Sequence, residues 1–295
     1  MDDVAIQTEK QRKQHFNNDK TLINFHIFKS AGTTLDRIIE RQFRQDATFF
    51  MEGGSPQNVK KYVNLLKRIL KKDRHRIKYI WGGPFFGVHK YLLGPYTYVT
   101  LLRDPVERVI SEYYHVLDIP DHPAHSEVVS KNISLEDYVR NGMWLAWNAE
   151  VRHIREVPEG HFGYGPVHLS TDDLEIAKVN LHEHYIFGLT ERFDELLILL
   201  KRSFGWRTRD ILYRKQQVGR IRPPKDTISA ETVNLIESHN KLDRQLYEFA
   251  KQMFKERISQ QGLSFRMELQ IFRLCNKVNG LIRYIGGIIL LRRKC

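Results

Sequence analysis

The sequence predicts an α/β fold: a central parallel sheet flanked by helices, in a single domain. Three observations predict it. Short apolar runs rich in β-formers alternate with amphipathic helical stretches along the chain. The composition is 41% apolar and 28% charged over 295 residues, the range of globular domains, which excludes collagen-like, disordered and multi-span membrane classes. No internal repeat or low-complexity linker divides the chain, and this length is enough to bury one sizeable core.

The first 20 residues are polar and charged and read as a flexible arm, with no signal peptide or N-terminal anchor expected. Thr21 to Phe28 (TLINFHIF) is a buried-strand pattern. Lys29 to Thr34 (KSAGTT) is a small-residue loop, and Leu35, Ile38, Ile39 and Phe43 then recur at helical spacing. Val59, Tyr62, Val63, Leu66, Ile69 and Leu70 line one face of a helix whose other face is lysine and arginine. Tyr79 to Trp81 reads as a brief strand and Tyr96 to Leu102 (YTYVTLL) as a stronger one. Arg103-Asp104-Pro105 ends that strand, and Val106 to Val116 is helical with a proline near its first turn. Tyr185 to Leu189 is a further strand, Glu195 to Phe204 a helix closed by Gly205, and Ser229 to Phe254 a long amphipathic helix broken once. The organisation is an arm (residues 1–20), a domain (residues 21–255) and a basic amphipathic tail (residues 256–295).

The strand–loop–helix at residues 21–43 is where chemistry is expected. A loop of small residues between a buried strand and a helix exposes backbone N–H groups at the positive end of the helix dipole, an arrangement that suits phosphate. Ser30, Thr33 and Thr34 add hydroxyls, Ala31 and Gly32 add bare backbone, and Lys29 adds charge. This P-loop-type arrangement departs from G-x-x-x-x-G-K-[ST], because Lys29 precedes Gly32 and Thr33-Thr34 follow it. A nucleotide kinase or NTPase therefore fits less well. A second phosphate-suited pair is Arg103, at the carboxyl end of a strand where open α/β sheets bind ligands, and Ser111 in the next helix.

Phe25 to Leu35 (FHIFKSAGTTL) together with Leu101 to Tyr114 (LLRDPVERVISEYY) resembles the carbohydrate-type sulfotransferases, including their bacterial members. Val88 to Leu92, Phe187 to Phe193 with Gly205-Trp206, and Asn240 to Ala250 extend the resemblance over about residues 22–255. It implies a sulfotransferase that uses 3′-phosphoadenosine 5′-phosphosulfate (PAPS). The first loop would hold the 5′-phosphosulfate, with Lys29 at the leaving oxygens, and Arg103 and Ser111 would hold the 3′-phosphate. The acceptor would be a hydroxyl, on a glycan or glycolipid. No metal is required.

Two departures stand out. Relatives read H-I-P-K-T-A-G-T-T where this chain has Phe28 for Pro and Ser30 for Thr. Many carry Gly-His where this chain has Gly82-Gly83, so a histidine expected at position 83 is absent.

His89, which closes the Gly-rich stretch Gly82 to His89, is the candidate base; a bond within its own loop is the alternative, and His26 reads as structural. Asn148 and Arg152, four apart, suit either a site near the ligands or a local helix-stabilising pair. Arg222, with Arg214, Lys215 and Arg220 nearby, could close over the nucleotide phosphates. A catalytically inactive reader of anionic glycan or membrane on the same fold is the other alternative, motivated by Gly83.

The net charge of +12 sits in two places. Residues 60–78 hold nine Lys or Arg against one Asp, and residues 251–295 hold ten against two Glu. That distribution, with Leu281 to Leu291 too short an apolar run to span a bilayer, predicts an anionic acceptor or peripheral membrane contact through the tail rather than nucleic acid. The only cysteines are Cys275 and Cys295, which predicts a reducing, cytoplasmic location.

Overall fold

A computed structural model describes residues 20–52, 56–73, 75–83, 86–156, 167–214, 223 and 227–292, with backbone alone for residues 56 and 281–292. Five strands form one parallel sheet in the order β2-β3-β1-β4-β5: β1 Thr21–Asn24, β2 Thr48–Met51, β3 Tyr79–Gly82, β4 Tyr96–Leu102 and β5 Tyr185–Leu189. Every residue of β1 is buried, as expected of a strand covered on both faces.

The expected strand over Thr21–Phe28 ends early. Phe25 still pairs through its N–H with Val99 O at 2.8 Å, and Thr100 Oγ1 donates to Phe25 O at 2.7 Å. The chain then turns, with Ser30 N donating to Ile27 O at 3.3 Å. The sequence reading missed β2. This four-residue edge strand buries Phe49 and Met51 and exposes Phe50, too short a pattern to stand out.

Helix α1 (Gly32–Glu40) buries Leu35, Ile38 and Ile39 in the same core as Leu22 and Ile23 of β1. Helix α2 (Pro56–Lys72) buries Val59, Val63, Leu66 and Leu70 and turns its lysines to solvent. Helix α3 (Pro105–Asp118) begins at Asp104, whose side chain accepts from Glu107 N at 3.1 Å, with Pro105 first inside. Short helices α4 (His125–Ser130), α5 (Leu135–Arg140) and α6 (Ala149–Ile154) lead to α7 (Thr171–His184), which feeds β5. Helix α8 is Phe193–Phe204, and Gly205 at φ 66° closes it. The long amphipathic stretch breaks at Asn240 into α9 (Ala230–His239) and α10 (Lys241–Ser259).

A boundary at residue 255 falls inside α10. Beyond it α11 runs from Gly262 to Arg292 and buries Phe265, Leu269 and Phe272 in the same core as β1 and α8.

Candidate active site

The strand order places β1 and β4 side by side, so the loop after β1 and Arg103 after β4 meet at one carboxyl edge of the sheet. Within the loop, Lys29 and Ala31 take left-handed backbone conformations, φ 65° and 64°. Such positive φ is uncommon outside glycine and marks a loop whose shape is imposed by its surroundings.

Asp36 on α1 supplies part of that constraint. It accepts from Asn24 Nδ2 and lies 2.8 Å from His26 Nδ1, tying α1 back to the end of β1. Gly32 is required by the same packing: a Cβ there would stand 2.5–2.7 Å from the His26 ring. His26 therefore shapes the loop, as expected.

Arg103 locks the loop from the other side. Its Nη1 donates to Lys29 O at 2.8 Å, its Nη2 to Glu107 Oε2 at 3.1 Å, and its backbone N–H to Glu150 Oε1 at 2.7 Å. Asp104 N donates to Glu191 Oε1 at 3.4 Å, and Arg244 Nη1 pairs with Asp104 Oδ2 at 2.7 Å. Ser111 lies one helical turn beyond Glu107 and is half-buried on the face that Arg103 reaches. One turn further, burial and the nearby Lys29 ammonium push the His115 imidazole below its usual range. The structure thus brings Lys29, Ser30, Ala31, Gly32, Thr33, Thr34, Arg103 and Ser111 to one place.

Sequence reasoning missed Glu107, Glu150 and His115. Glu107 was findable, being four residues from Arg103 in the same helix start. Glu150 was not, because 47 residues separate it from its partner.

The residues fit a phosphate-bearing cofactor. Ser30 is fully buried and its Oγ has no hydrogen-bond partner, a costly state for a hydroxyl unless a ligand completes it. The first turn of α1 contains no acidic residue, and its N-cap, Ala31, has no side-chain acceptor to offer. A bound phosphate would supply that acceptor.

His89 is not at this site. It lies in a short turn, Val88–Tyr91, with Nδ1 2.9 Å from the Tyr98 hydroxyl and its ring stacked on Tyr96 at 4.4 Å. Tyr96 opens β4 and pairs with Thr21, the first residue of β1. Arg103 lies just past the other end of the strand, roughly 20 Å away at the rise of an extended chain. The Tyr98 hydroxyl accepts from Gly87 N and His89 N at 3.2 and 3.3 Å, leaving its proton for His89 Nδ1. Burial, reinforced by His184, pushes the His89 imidazole down to about 4. The Gly-rich stretch that suggested a catalytic histidine instead holds a half-buried one at the amino edge.

Gly82 and Gly83 do reach the carboxyl edge. Gly82 has φ 100°, and a Cβ there would stand 2.5 Å from Met51 O. Gly83 N donates to Met51 O at 2.7 Å, which sets Glu52 beside position 83. The Tyr62 hydroxyl donates to Glu52 Oε2 at 3.2 Å.

Asn148 turns out to be a cap, described by its bonds to α10: its Oδ1 accepts from Leu242 N and Asp243 N, each at 3.1 Å. Arg152 beside it is buried. Arg222, Lys215 and Arg220 lie outside the described residues.

Comparison with known proteins agrees with this geometry. The family described as galactose-3-O-sulfotransferase matches residues 22–287. Among individual proteins, heparan-sulfate 6-O-sulfotransferase 1-B of Danio rerio is 27% identical over 202 residues, covering 60% of this chain and 48% of that protein. Heparan-sulfate 6-O-sulfotransferase 1 of Homo sapiens is 29% identical over 191 residues, 54% and 44% of the two chains. Heparan-sulfate 6-O-sulfotransferase 2 of Gallus gallus is 28% identical over 285 residues, 83% and 70% of the two. The chain spans somewhat under half the length of the first two relatives.

Proposed function

The chain belongs to the galactose-3-O-sulfotransferase family, and from that premise we propose that it transfers a sulfuryl group from PAPS to a hydroxyl of a carbohydrate or glycoconjugate. The observation that carries the cofactor reading is the orphaned, fully buried Ser30 Oγ in a loop tied to Arg103. Bound PAPS supplies an activated sulfuryl group on a phosphate leaving group.

The chain's own residues do the rest. Lys29 and the backbone N–H groups of Ala31 to Thr34 hold the phosphosulfate and offset the negative charge that grows on its leaving oxygens. Arg103 and Ser111 hold the 3′-phosphate on the β4 side. Because the Arg103 guanidinium is a planar fork already oriented by Lys29 O and Glu107, lysine cannot replace it.

With the nucleotide held toward β4, the acceptor hydroxyl approaches from the β3–β2 side, in line with the sulfur. Glu52 is the base that takes its proton there, standing beside the position where related chains carry histidine.

Isothermal calorimetry with 3′-phosphoadenosine 5′-phosphate, paired with transfer of labelled sulfate to glycan acceptors, tests this. Arg103→Ala should weaken nucleotide binding at least about tenfold, a loss of about 1.4 kcal/mol or more. Glu52→Gln should leave nucleotide binding unchanged and lower transfer by about a hundredfold or more. Intact protein that binds no 3′-phosphoadenosine 5′-phosphate refutes the cofactor reading, and full transfer by Glu52→Gln refutes the base.

A further inference from the structure

Helix α11 has two apolar faces. Phe265, Leu269 and Phe272 form the inner one and are buried. Glu268 secures it to α8, pairing with Lys201 and with Arg202 Nε at 2.8 Å. The outer face carries Leu263, Met267, Ile271, Leu274 and Val278, which are 48–71% exposed. Steps of four, four, three and four residues put these five side chains on one stripe, roughly 20 Å long. The same spacing continues in the sequence through Leu281, Ile285 and Ile289, still within the helix.

Exposed Arg266, Arg273 and Lys277 run along one border of the stripe. At 100° per residue they fall together beside the apolar arc. Single exposed apolar side chains need no explanation, but an ordered row of them with a basic border does.

We propose that this stripe docks α11 on an anionic lipid surface, with the helix axis in the plane of the interface. The apolar row enters the acyl boundary while the basic border meets lipid phosphates and carboxylates. Charge favours this occupant over a second copy of the chain. Ten Lys or Arg stand against two Glu in residues 251–295, so self-pairing would bring like-charged borders together. Among the described residues no helix is long and apolar enough to cross a membrane, so α11 lies on the surface rather than spanning it.

Helix α11 is also tied to the start of α8 and to Tyr213. Asn276 Oδ1 accepts from Tyr213 N at 2.8 Å, and Arg273 Nε pairs with Asp194 Oδ2 at 3.1 Å. The Tyr213 hydroxyl donates to the other oxygen of Asp194 at 2.8 Å.

The test is co-sedimentation of the full chain with vesicles of phosphatidylcholine alone or mixed with phosphatidylserine. Binding should be about tenfold or more stronger to the mixed vesicles and should fall as salt rises. Ile271→Asp combined with Leu274→Asp should reduce it at least about tenfold while the thermal midpoint stays put, since both positions are exposed. If that pair disturbs folding, Met267→Gln should weaken binding in the same direction. Absence of binding to phosphatidylserine vesicles overturns the proposal. So does a stripe variant that binds as well as the intact chain, or a lipid-free dimer that the same substitutions dissolve.

Discussion

Glu150 shows how one buried carboxyl can set the geometry of a site it does not line. It is fully buried, its Oε1 accepts from Arg103 N at 2.7 Å, and its Oε2 has no hydrogen-bond partner. Burial, with Asp243 nearby, pushes this carboxyl well above its usual range. Asp243 already accepts from Glu150 N and Val151 N at 3.0 and 2.8 Å, so burial favours the neutral form of Glu150. A neutral amide should then substitute well. Glu150→Gln is expected to change unfolding free energy by less than about 1 kcal/mol, whereas Glu150→Ala should cost about 3 kcal/mol by opening a cavity and stranding the Arg103 N–H. The sign of the pH effect follows. A carboxyl raised in the folded state stabilises fully below its unfolded value and loses that contribution as pH rises through the folded one. Denaturant titration at rising pH should therefore show the Gln variant gaining on the parent chain.

At the scale of elements, α6 and α10 cap each other. Asp243 in α10 satisfies the first N–H groups of α6, and Asn148 before α6 satisfies Leu242 N and Asp243 N of α10. Asn240 closes the joint by accepting from Asn148 N at 2.8 Å and donating to Ala146 O at 2.9 Å. Asn148 itself sits at φ 43°, which asparagine tolerates better than alanine. Asn148→Ala should destabilise the fold by about 2 kcal/mol in thermal or denaturant unfolding. Because α6 carries Glu150, it should also weaken nucleotide binding, though less than Arg103→Ala. The spacing of Asn148 and Arg152 was legible in the sequence, but the partner more than 90 residues on was not, so a reciprocal cap could not be told from a ligand site.

Across the whole molecule, two imidazoles on one aromatic layer make stability fall in acid. His89 lies against Tyr96 and Tyr98, His153 lies against Phe25 and Phe28, and Phe25 meets Tyr98 between them. Burial pushes each imidazole down to about 4. A base depressed in the folded state stabilises above its unfolded value, near 6.5, and loses that contribution as pH falls through 4. Unfolding free energy should drop by up to about 1.4 kcal/mol per pH unit for each of the two between those values. His89→Gln should remove about half of that slope in pH-dependent unfolding while leaving nucleotide binding intact. The sequence by itself determined the alternating strands and helices, the small-residue loop from Lys29 to Thr34 between a strand and a helix, and the place of Arg103 at a strand end with Ser111 in the helix that follows. Each of these is written in a few adjacent residues whose periodicity or backbone freedom acts locally. Only the tertiary structure decided that His89 belongs to the amino edge, that Glu52 stands beside Gly83, that Glu150 braces Arg103, and that α11 joins the core on one face and leaves an apolar stripe on the other. Those outcomes depend on strand order and on which helix packs where. Parallel pairing brings together residues far apart in the chain, and no local pattern records which end of a strand a loop will reach.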